Sequence, residues 1–478
     1  MACEDTDLFI DGVWRAPISG SRTVVVNPTT EEPIATVSDA GEEDVDAAVR
    51  AAHRAFLAWS ATPVEERARL VSALADELLR RGDEFASLIT SENGTPIAET
   101  RHAAPAGAAH LKLVASLAPQ AFVEDVRANP MSRNRTRVRR VPVGVAGLIT
   151  PWNFPLSLIL IKLGPALMAG CPVVIKPAPE TPMAARALMD AVAAVGFPPG
   201  AVNLVTGGVV AGRALVSHPL VRKVSFTGST GAGREVGEIC GRRLCAVTLE
   251  LGGKSPAIVL PDTNPETFAK NILKVSLRNT GQTCKASTRL FLPESRAEEF
   301  TDLTATLISN AQLGDPFDEK TFFGPVAFER HRDRVRNYIE LGRREGARAV
   351  VGGETRSPLP RGFFIQPTLF DQVTNDMRIA REEIFGPVLC VIRYRTIDDA
   401  VRMANDSPYG LAGAVFGEDR DAALAVAERL ETGNIGINQY GSNAAAPFSG
   451  HKDSGLGAEF GLEGLGSYLA YKSIHLDS

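Results

Sequence analysis

The first long periodic stretch of the chain places apolar residues on one face of a helix. It runs from Glu42 to Trp59, and Asp44 and Asp46 lie near its start, where the helix dipole favours negative charge. The residues at helical spacing are Val45, Val49, Ala52 and Phe56. The pattern predicts an amphipathic helix that packs through one face.

A second helix is predicted with signals at both of its ends. Thr181 is placed to cap the N-terminus, Pro182 suits the first turn, and Gly196 suits the end. The apolar stripe consists of Leu188, Val192 and Val195.

Short apolar runs precede and follow this second helix. Pro172–Lys176 predicts a buried strand with a charged residue at its exit, and Val202–Val205 and Lys223–Phe226 predict two further strands. Strands that alternate with helices are typical of an α/β domain with a parallel sheet, and ligands bind beyond the carboxyl ends of such strands. The predicted fold class is therefore α/β.

Between Val123 and Val141 apolar periodicity is lost and arginines accumulate. The arginines are Arg127, Arg133, Arg135, Arg137, Arg139 and Arg140. An exposed arm or projecting hairpin fits this pattern, and a solvated charged edge fits it equally well.

Length and charge limit the classes of protein. A chain of 478 residues with 44% hydrophobic content is expected to form two or three domains. A net charge of -5, with both signs scattered, provides no basic surface for nucleic acid and no juxtamembrane cluster, and leaves small uncharged or anionic partners open.

No targeting or membrane segment is expected. The acidic Met1–Asp7 lacks the pattern of a secretory signal, and the apolar stretch Phe154–Ile175 is interrupted by Lys162, Pro165 and Pro172. The sequence favours a cytoplasmic location.

Cysteine and histidine spacing predicts no metal site. The six cysteines are too sparse for a disulfide framework, and no pair has C-x-x-C spacing, so neither structural zinc nor a redox dithiol is predicted. We expect free thiols. His102 and His110 have no partner at metal-ligand spacing and are interpreted as structural or surface histidines.

Cys284 lies in the stretch Asn279–Ser287. A cysteine alone is ordinarily a small buried hydrophobe, but three other segments supply groups that would make this sulfur a useful nucleophile. They are Pro151–Pro155, Leu249–Lys254 and Glu382–Val388.

Asn153 and Glu250 are the candidate groups around that nucleophile. Asn153 offers an amide donor on a stiff turn and, with the Cys284 N–H, would hold an oxyanion, a contribution of about 3 kcal/mol per donor. A plain turn former is the alternative. Glu250 ends an apolar strand, where burial would raise its pKa toward that of a general base near neutral pH. A cap or an ion-pair partner is the alternative.

A glycine-rich turn follows one of the predicted strands. Phe226–Gly233 opens a helix, so its N–H groups are suited to a pyrophosphate, although such a turn is a weak signal alone.

Together these motifs resemble the aldehyde dehydrogenase superfamily over nearly the whole chain. The resemblance begins at Leu8–Trp14 and Asn27–Pro28, continues through Glu92–Pro96 and the motifs above, and closes at Pro447–Gly457. It implies a Rossmann-like dinucleotide-binding domain (1–119 and 143–252), an α/β catalytic domain (253–446) and a small β oligomerisation element (120–142 and 460–478). That element would combine the arginine-rich segment with the C-terminal strand and complete a partner subunit's sheet in a homodimer or homotetramer.

The resemblance also implies a mechanism. Cys284 would attack the aldehyde carbon, Asn153 and the Cys284 N–H would hold the oxygen, and hydride would pass to the nicotinamide. Glu250 would then activate the water that hydrolyses the thioester to a carboxylic acid. The cofactor residues that it implies are Ile149, Thr150, Trp152, Lys176, Gly228, Ser229, Leu251, Glu383 and Phe385.

The cofactor motif departs from the family at the ribose edge. The acid expected three residues after Lys176 is replaced by Pro179, and the acid is Glu180 instead. Since a carboxylate at that edge repels a 2′-phosphate, its removal leaves NADP possible, although NAD is the predicted cofactor. Pro447–Gly450 also has serine at a family glycine position, which we expect to alter backbone freedom more than chemistry.

The sequence gives less information about the substrate than about the mechanism. The resemblance places Phe154, Leu158, Ile161, Thr283, Lys285 and the loop Tyr440–Ala446 along the aldehyde tunnel. Leu158 and Ile161 favour an apolar aliphatic or aromatic aldehyde. Lys285 would attract an anionic substrate or lower the pKa of the thiol, but a lysine beside such a loop more often points to solvent.

Other functions remain as alternatives. A semialdehyde dehydrogenase has the same motifs. A relative that passes the acyl group to coenzyme A would not need Glu250, and a non-catalytic binding protein would be free to lose Cys284, Asn153 or Glu250. All three are present.

Overall fold

The computed structural model describes residues 4–18, 20–353, 357–441 and 443–477. Its strands are β1 (Glu4–Thr6), β2 (Leu8–Ile10), β3 (Val13–Arg15), β4 (Arg22–Val26), β5 (Pro33–Ser38), β6 (Asp125–Ala128), β7 (Arg135–Pro142), β8 (Val145–Ile149), β9 (Val173–Lys176), β10 (Val202–Leu204), β11 (Val221–Thr227), β12 (Ala246–Glu250), β13 (Pro256–Val259), β14 (Arg289–Pro293), β15 (Gln312–Leu313), β16 (Thr321–Phe323), β17 (Arg348–Val351), β18 (Thr368–Asp371), β19 (Val388–Tyr394), β20 (Tyr409–Gly410), β21 (Ala412–Phe416), β22 (Asn434–Ile437), β23 (His451–Lys452), β24 (Gly455–Leu456) and β25 (Leu469–Leu476). Its helices are α1 (Glu42–Ala61), α2 (Val64–Arg80), α3 (Gly82–Asn93), α4 (Ile97–Thr100), α5 (Ala103–Ala121), α6 (Ser157–Ala169), α7 (Met183–Val195), α8 (Val209–Ser217), α9 (Thr230–Arg242), α10 (Pro265–Leu277), α11 (Ala297–Asn310), α12 (Glu329–Arg344), α13 (Arg378–Arg381), α14 (Ile397–Asn405), α15 (Arg420–Ala427) and α16 (Gly461–Gly466).

The first predicted helix is α1, and its apolar face is buried as expected. The Asp44 carboxylate accepts a hydrogen bond from the Gly41 N–H at 3.0 Å and satisfies a donor at the helix start. Phe56 is only half-buried, and Trp59 is the aromatic residue that fills the core. The helix is confirmed.

The second predicted helix is α7, and the N-cap predicted at Thr181 is wrong. The Thr181 hydroxyl bonds to the carbonyl of Trp152 instead. The N–H groups of Met183 and Ala184 donate to the carboxylate of Glu92 at 2.7 and 3.1 Å. The cap therefore comes from α3, far away in sequence, where local pattern cannot reveal it. The helix ends as predicted, with Gly196 in the left-handed region at φ 80°.

The larger sheet has the order β24-β12-β11-β8-β9-β10-β2-β3. Strands β12, β11, β8, β9 and β10 are parallel, and the three strands predicted in this region are among them. The chain moves outward from β8 through β9 to β10 and then returns to β11 on the other side of β8. A crevice is expected where such a reversal occurs, at the carboxyl ends of β8 and β11.

Apolar cores cover both faces of this sheet. Helices α2, α5, α6 and α7 pack on one face, and α1, α8 and α9 on the other. Because both faces are covered, strands such as β8 and β9 are buried along their whole length. The α/β fold is confirmed.

A second sheet has the order β17-β18-β19-β14-β13-β21-β22 and is parallel except for the β17–β18 pair. Helices α10 and α11 cover one face, and α12 to α15 cover the other. The segment that carries Cys284 lies between α10 and β14.

The arginine-rich segment forms the antiparallel hairpin of β6 and β7, which confirms the hairpin interpretation. Strand β25 adds to β7 from Leu469 opposite Pro142 to Leu476 opposite Arg135. The sheet order is β25-β7-β6, so within the described residues each outer strand has one edge without a neighbour. In the described ranges no helix is long and apolar enough to cross a membrane.

Candidate active site

A cavity of about 940 Å³ opens at the carboxyl ends of β8 and β11. All of the predicted cofactor residues line it: Ile149, Thr150, Trp152, Lys176, Gly228, Ser229, Leu251, Glu383 and Phe385. Cys284 and Asn153 line it as well. Residues that lie far apart in sequence therefore meet at the crevice that the strand order creates.

The glycine-rich turn forms one end of the cavity. Ser229 caps α9, and its hydroxyl accepts a hydrogen bond from the Ala232 N–H at 3.3 Å. A Cβ atom on Gly228 would come within 2.5 Å of the Phe226 ring, so a side chain does not fit in this turn. The N–H groups at the start of α9 remain beside the cavity, which suits a pyrophosphate.

The ribose edge contains Lys176, Pro179 and Glu180. Burial lowers the pKa of Lys176 to about 8, and its ammonium donates to the Pro177 carbonyl at 2.9 Å. Pro179 and Glu180 both line the cavity, and the Glu180 carboxylate lies 3.8 Å from the Arg330 guanidinium. A carboxylate, that of Glu180, is thus present at the ribose edge, one position later in the chain than in the family pattern.

The opposite end of the cavity is built around Glu383. Its carboxylate accepts a hydrogen bond from the Gly253 N–H at 2.9 Å, and burial raises its pKa to about 7. Phe385 follows with a φ of 63°, and His331 donates from Nε2 to the Phe385 carbonyl at 2.7 Å. This bond holds a backbone conformation that is otherwise unfavourable for a phenylalanine.

Sequence reasoning missed the contribution of α12 to this end. Phe328 and His331 pack with Trp152, with ring centroids 5.2 and 5.0 Å apart. Arg330 and Arg334 line the same cavity. The sequence of α12 is rich in charged residues, and no recognisable motif surrounds His331. The local sequence therefore did not indicate that this helix contributes to the cavity.

Cys284 lies at the end of a loop with unusual backbone geometry. Asn279, Thr280 and Gly281 have φ values of 52°, 55° and 74°. A Cβ atom on Gly281 would come within 2.2 Å of the Gly386 carbonyl oxygen. Only glycine tolerates that approach, so the loop that carries Cys284 is tightly held against the Glu382–Val388 segment.

Hydrogen bonds join this loop to the Asn153 turn. The Asn153 amide donates to the Gln282 carbonyl at 3.0 Å. The amides of Asn93 and Asn279 both donate to the Asn153 carbonyl, at 3.1 and 3.0 Å. The Thr95 hydroxyl donates to the Asn279 side chain at 2.8 Å. Asn153 is fixed on both sides, and its Nδ2 has a second N–H available.

Glu250 does not line the cavity; it lies directly behind the wall, one residue before Leu251. It is 4% exposed, and neither carboxylate oxygen has a hydrogen-bond partner within the described residues. Burial raises its pKa well above the usual range, the charge of Glu459 raises it further, and Lys162 opposes both. A cap or ion-pair role of the Glu250 side chain has no hydrogen bond to support it.

The segment after Glu250 comes very close to the nucleophile. A Cβ atom on Gly253 would lie 2.8 Å from the Cys284 carbonyl oxygen, so only glycine allows the two segments to approach in this way. The Glu250 charge is near enough to raise the pKa of the Cys284 thiol.

The pKa of Cys284 is raised to about 12. Burial is the largest cause, and the carboxylates of Glu250 and Glu383 add to it, while Lys285 opposes them. At neutral pH the sulfur is a thiol, and its use as a nucleophile requires a proton acceptor within reach.

Behind Glu250 lies a buried polar cluster. The Lys162 ammonium donates to the Thr227 hydroxyl at 2.6 Å and forms an ion pair with Glu459. Ser225 also donates to Glu459, at 3.3 Å. Glu250 therefore sits between the nucleophile and a charged, hydrogen-bonded interior.

The predicted substrate residues do not line the cofactor cavity. Phe154, Leu158 and Ile161 are half-buried, and the last two lie one helical turn apart on α6. The Thr283 hydroxyl donates to the Arg278 carbonyl at 3.2 Å.

Arg278 contacts three of the predicted substrate residues, Phe154, Thr283 and Tyr440, and sequence reasoning missed it. Its guanidinium lies 5.3 and 5.6 Å from the ring centroids of Phe154 and Tyr440, and bonds to the Glu99 carboxylate at 2.7 Å. The ion pair neutralises its charge, and the two rings cover its flat faces.

Lys285 does not point to solvent, so that interpretation is wrong. Its ammonium donates to the Gly441 carbonyl at 2.8 Å and lies 3.8 Å from the Tyr440 ring centroid. Burial lowers its pKa to about 8. The hydrogen bond to the carbonyl and the cation–π contact with the ring outweigh the conformational entropy that the flexible lysine side chain loses. Together they fix the Cys284 loop to the Tyr440 loop.

No group of three or more residues suited to hold a metal ion occurs in the described ranges. The fold and the cavity define an α/β protein with a dinucleotide crevice and a cysteine at its inner end.

Comparisons with known proteins identify the family. A model of the aldehyde dehydrogenase family matches residues 14–474. A geranial dehydrogenase of Castellaniella defragrans is 46% identical over 479 residues, which cover 100% of each chain. A 3-succinoylsemialdehyde-pyridine dehydrogenase of a Pseudomonas species is 41% identical over 472 residues, 98% of each chain.

A similar solved structure is a mutant of aldehyde dehydrogenase C from Pseudomonas syringae, complexed with NAD+ and octanal. Its TM-score is 0.95 at 41% identity, and the match covers 98% of this chain and 96% of that one. The chain belongs to the aldehyde dehydrogenase family. It is an enzyme that oxidises aldehydes, as members of this NAD(P)-dependent family do.

Proposed function

We propose that this enzyme converts an apolar aldehyde to a carboxylic acid with NAD, through a thioester on Cys284 that water hydrolyses. One observation carries the proposal. Cys284 and Asn153 meet in a cavity lined by all of the predicted dinucleotide residues, and the segment that follows Glu250 packs closely against the Cys284 carbonyl at Gly253.

The first step needs a base for the Cys284 thiol. Since the pKa of the thiol is raised to about 12 and burial raises that of Glu250, the ionised carboxylate is the acceptor that we propose for the thiol proton. The sulfur forms a bond to the aldehyde carbon, and the carbonyl electron pair moves to oxygen. The second N–H of Asn153 Nδ2 and the Cys284 N–H donate to that oxygen.

The second half releases the acid. Bound NAD supplies the acceptor for the hydride that leaves the substrate carbon. Glu250 first releases the thiol proton to solvent and then takes a proton from water, whose oxygen bonds to the thioester carbon. The C–S bond breaks, the carboxylic acid leaves, and the Cys284 thiolate takes the proton back from Glu250. The two carboxylate oxygens of Glu250, which have no hydrogen-bond partner among the residues that the structure describes, are suited to this exchange.

NAD is the proposed cofactor, with NADP as the alternative. Support comes from Glu180, which provides a carboxylate at the ribose edge, and from the NAD+ complex of the aldehyde dehydrogenase C structure. We expect a higher kcat/KM with NAD. A clear preference for NADP would show that Pro179 has opened this edge to a 2′-phosphate.

An apolar substrate is supported by the substrate side of Cys284. Leu158 and Ile161 are apolar, and the charge of Arg278 is neutralised by Glu99. The geranial and octanal named for two relatives are apolar as well.

Lys285 favours a second candidate, a semialdehyde with a distal carboxylate. Its ammonium is held by a carbonyl and a ring but has no carboxylate partner in the described residues. Kinetics with octanal, benzaldehyde and succinic semialdehyde distinguish the candidates. A Lys285→Met variant that loses activity only with the semialdehyde would favour the second.

Cys284→Ala tests the proposal directly. We expect loss of NADH formation with every aldehyde, because the thioester cannot form, while tryptophan fluorescence still reports NAD binding beside Trp152. Cys390→Ala is the matched control, since Cys390 is buried away from the cavity. Undiminished turnover in Cys284→Ala would overturn the assignment.

Addition of coenzyme A tests the acyl-transfer alternative. The free acid is the expected product with and without coenzyme A, because Glu250 is present to activate water. An acyl-coenzyme A product would favour the alternative, and dinucleotide binding without any turnover would favour a non-catalytic binding protein.

The domain limits and the assembly are also proposals. We propose a dinucleotide domain of 1–119 and 143–252, a catalytic domain of 253–446 and an oligomerisation element of 120–142 and 460–478, supported by the two large sheets and the small one. A homodimer or homotetramer is supported by the outer edges of β25 and β6, which have no neighbouring strand in the described part of the chain. A cytoplasmic location is supported by the described cysteines, all of which are free.

A further inference from the structure

The C-terminal end of α9 brings two cysteines together. The Cys245 N–H donates to the Cys240 carbonyl at 2.9 Å, and the Leu244 N–H donates to the Gly241 carbonyl at 3.2 Å. Leu244 lies between them with a φ of 54°. These two bonds and the left-handed residue form a Schellman motif, which places the first and last side chains against each other.

In this motif the side chains that face each other belong to Cys240 and Cys245. The Cys245 Sγ donates to the carbonyls of Val221 and Ala246, both at 3.6 Å, and each of the two thiols shifts the pKa of the other. Cys240 is fully buried, and Cys245 is 8% exposed. Their position five residues apart, across a closed turn, suits the short Cα separation that a disulfide requires.

The charges around the pair make the two thiols unequal. The Cys240 thiol is the largest influence on Cys245 and lowers its pKa, burial opposes it, and the cations of Arg243, Arg222 and Lys223 add to the lowering, so that the pKa of Cys245 is about 7. The Cys245 thiol, with burial, raises the pKa of Cys240. Cys245 is therefore suited to react first, as a thiolate, and Cys240 to react second.

We propose that Cys240 and Cys245 form a redox dithiol that hydrogen peroxide converts to a reversible disulfide. The Cys245 sulfur bonds to one peroxide oxygen, the O–O bond breaks, and water leaves after protonation, which oxidises Cys245 to a sulfenic acid. The Cys240 sulfur then bonds to the Cys245 sulfur, and the S–O bond breaks to release a second water. Two thiols and one peroxide thus give one disulfide and two waters.

This site is separate from the catalytic one. Neither Cys240 nor Cys245 lines the cavity that contains Cys284. The remaining described cysteines, Cys171 and Cys390, are fully buried, and their thiols have no thiol neighbour among the described residues. The spacing is C-x-x-x-x-C, so a search for C-x-x-C does not find it, and only the turn at the helix end brings the sulfurs into contact.

Peptide mapping of the full-length enzyme tests the proposal, because trypsin cuts between the two cysteines at Arg242 and Arg243. The enzyme is treated with hydrogen peroxide, quenched with catalase, alkylated and digested without reductant. We expect Glu235–Arg242 and Leu244–Lys254 to appear as one linked species, two hydrogens lighter than their sum. Dithiothreitol should separate them, and untreated enzyme should give two alkylated peptides.

Two variants make the result specific. Cys240→Ala should abolish the linked species and increase dimedone labelling of Cys245, because the sulfenic acid has no resolving thiol. Cys390→Ala should leave the linked species unchanged. The proposal is overturned if Cys245 stays reduced at peroxide concentrations that oxidise Cys284, if it gives sulfinic acid in the wild type, or if it links to another cysteine. None of these readouts depends on aldehyde oxidation.

Discussion

The environment of the Glu250 side chain determines its reactivity. Its carboxylate is buried at a strand end, has no hydrogen-bond partner in the described ranges and lies beside Cys284. Its pKa is raised chiefly by burial, so the fraction of ionised carboxylate increases with pH above the usual range of a glutamate. The hydrolysis that we propose for it should follow that ionisation.

Glu250→Gln is expected to slow both the attack by the Cys284 thiol and the hydrolysis of the thioester. At high pH, where hydroxide replaces Glu250 as the acceptor of the thiol proton, a burst of NADH should remain, while steady-state kcat falls about 10²–10⁴-fold, the usual contribution of a general base. Stopped-flow absorbance separates the two phases. Glu65→Gln, at an exposed residue of α2, is the control.

The pH profile gives a second readout of the same residue. Wild-type steady-state activity should rise with pH as Glu250 ionises, and the variant should lose that dependence. A variant that hydrolyses its thioester at the wild-type rate, with the same pH profile, would contradict the role of Glu250.

At the scale of single residues, the sequence predicted which residues meet at the site, but not the hydrogen bonds and contacts that hold each side chain in place. Asn153 lies in the loop between β8 and α6 and Cys284 in the loop between α10 and β14, and sequence motifs located both loops. Arg278 and His331 were missed because their partners lie on other elements. The prediction that Lys285 points to solvent was wrong because the fold brings the Gly441 carbonyl and the Tyr440 ring close to its ammonium, and both bind it.

At the scale of elements, strand order and backbone geometry determine the site. Sequence periodicity predicted α1 and the parallel strands, because burial of one helix face or of a whole strand leaves a regular pattern. It failed at the start of α7, where Glu92 supplies the cap from another helix. It also gave no indication of the left-handed run of Asn279, Thr280 and Gly281.

Gly281→Ala is expected to disable the enzyme. The new Cβ would lie 2.2 Å from the Gly386 oxygen at a φ of 74°, so the loop must move. A displacement of roughly 1 Å at the nucleophile lowers kcat/KM on the order of 10²-fold. Steady-state kinetics and the melting temperature measure the two consequences.

Gly82→Ala is the matched control for this substitution. Its Cβ would meet nothing within 4 Å, and its φ is ordinary for an L-residue. Activity should be unchanged in that variant. Equal kinetics for Gly281→Ala and the wild type would show that the loop does not need its observed conformation.

At the scale of the whole molecule, the small sheet bears exposed apolar residues on both of its outer strands. Val126 on β6 and Tyr471 on β25 are 38% and 73% exposed. Unpaired strand edges with apolar side chains are sites where another chain can add. The resemblance implied that the arginine-rich segment combines with the C-terminal strand, as β7 and β25 do, but the sequence did not predict their register, because register depends on contacts between distant segments.

Val126→Asp combined with Tyr471→Asp is expected to reduce the assembled mass. The introduced charges would be buried without partners in an interface, which is costly. Light scattering after size exclusion measures the mass, and circular dichroism checks the fold. Leu424→Asp, at an exposed position of α15, should leave the mass unchanged. A monomeric wild type, or a double variant of unchanged mass, would contradict the proposed interface.

The three asparagine and threonine side chains around Asn153 also bear on how the enzyme acquires its reactivity during folding. Their hydrogen bonds join residues separated by 60, 126 and 184 positions in the chain. Contacts of such long sequence separation form late, because the intervening loops must close first. On refolding from denaturant, the helical signal in circular dichroism should return before the Cys284 thiol becomes selective in its reactions with electrophiles. An early intermediate would therefore be well structured and chemically inert.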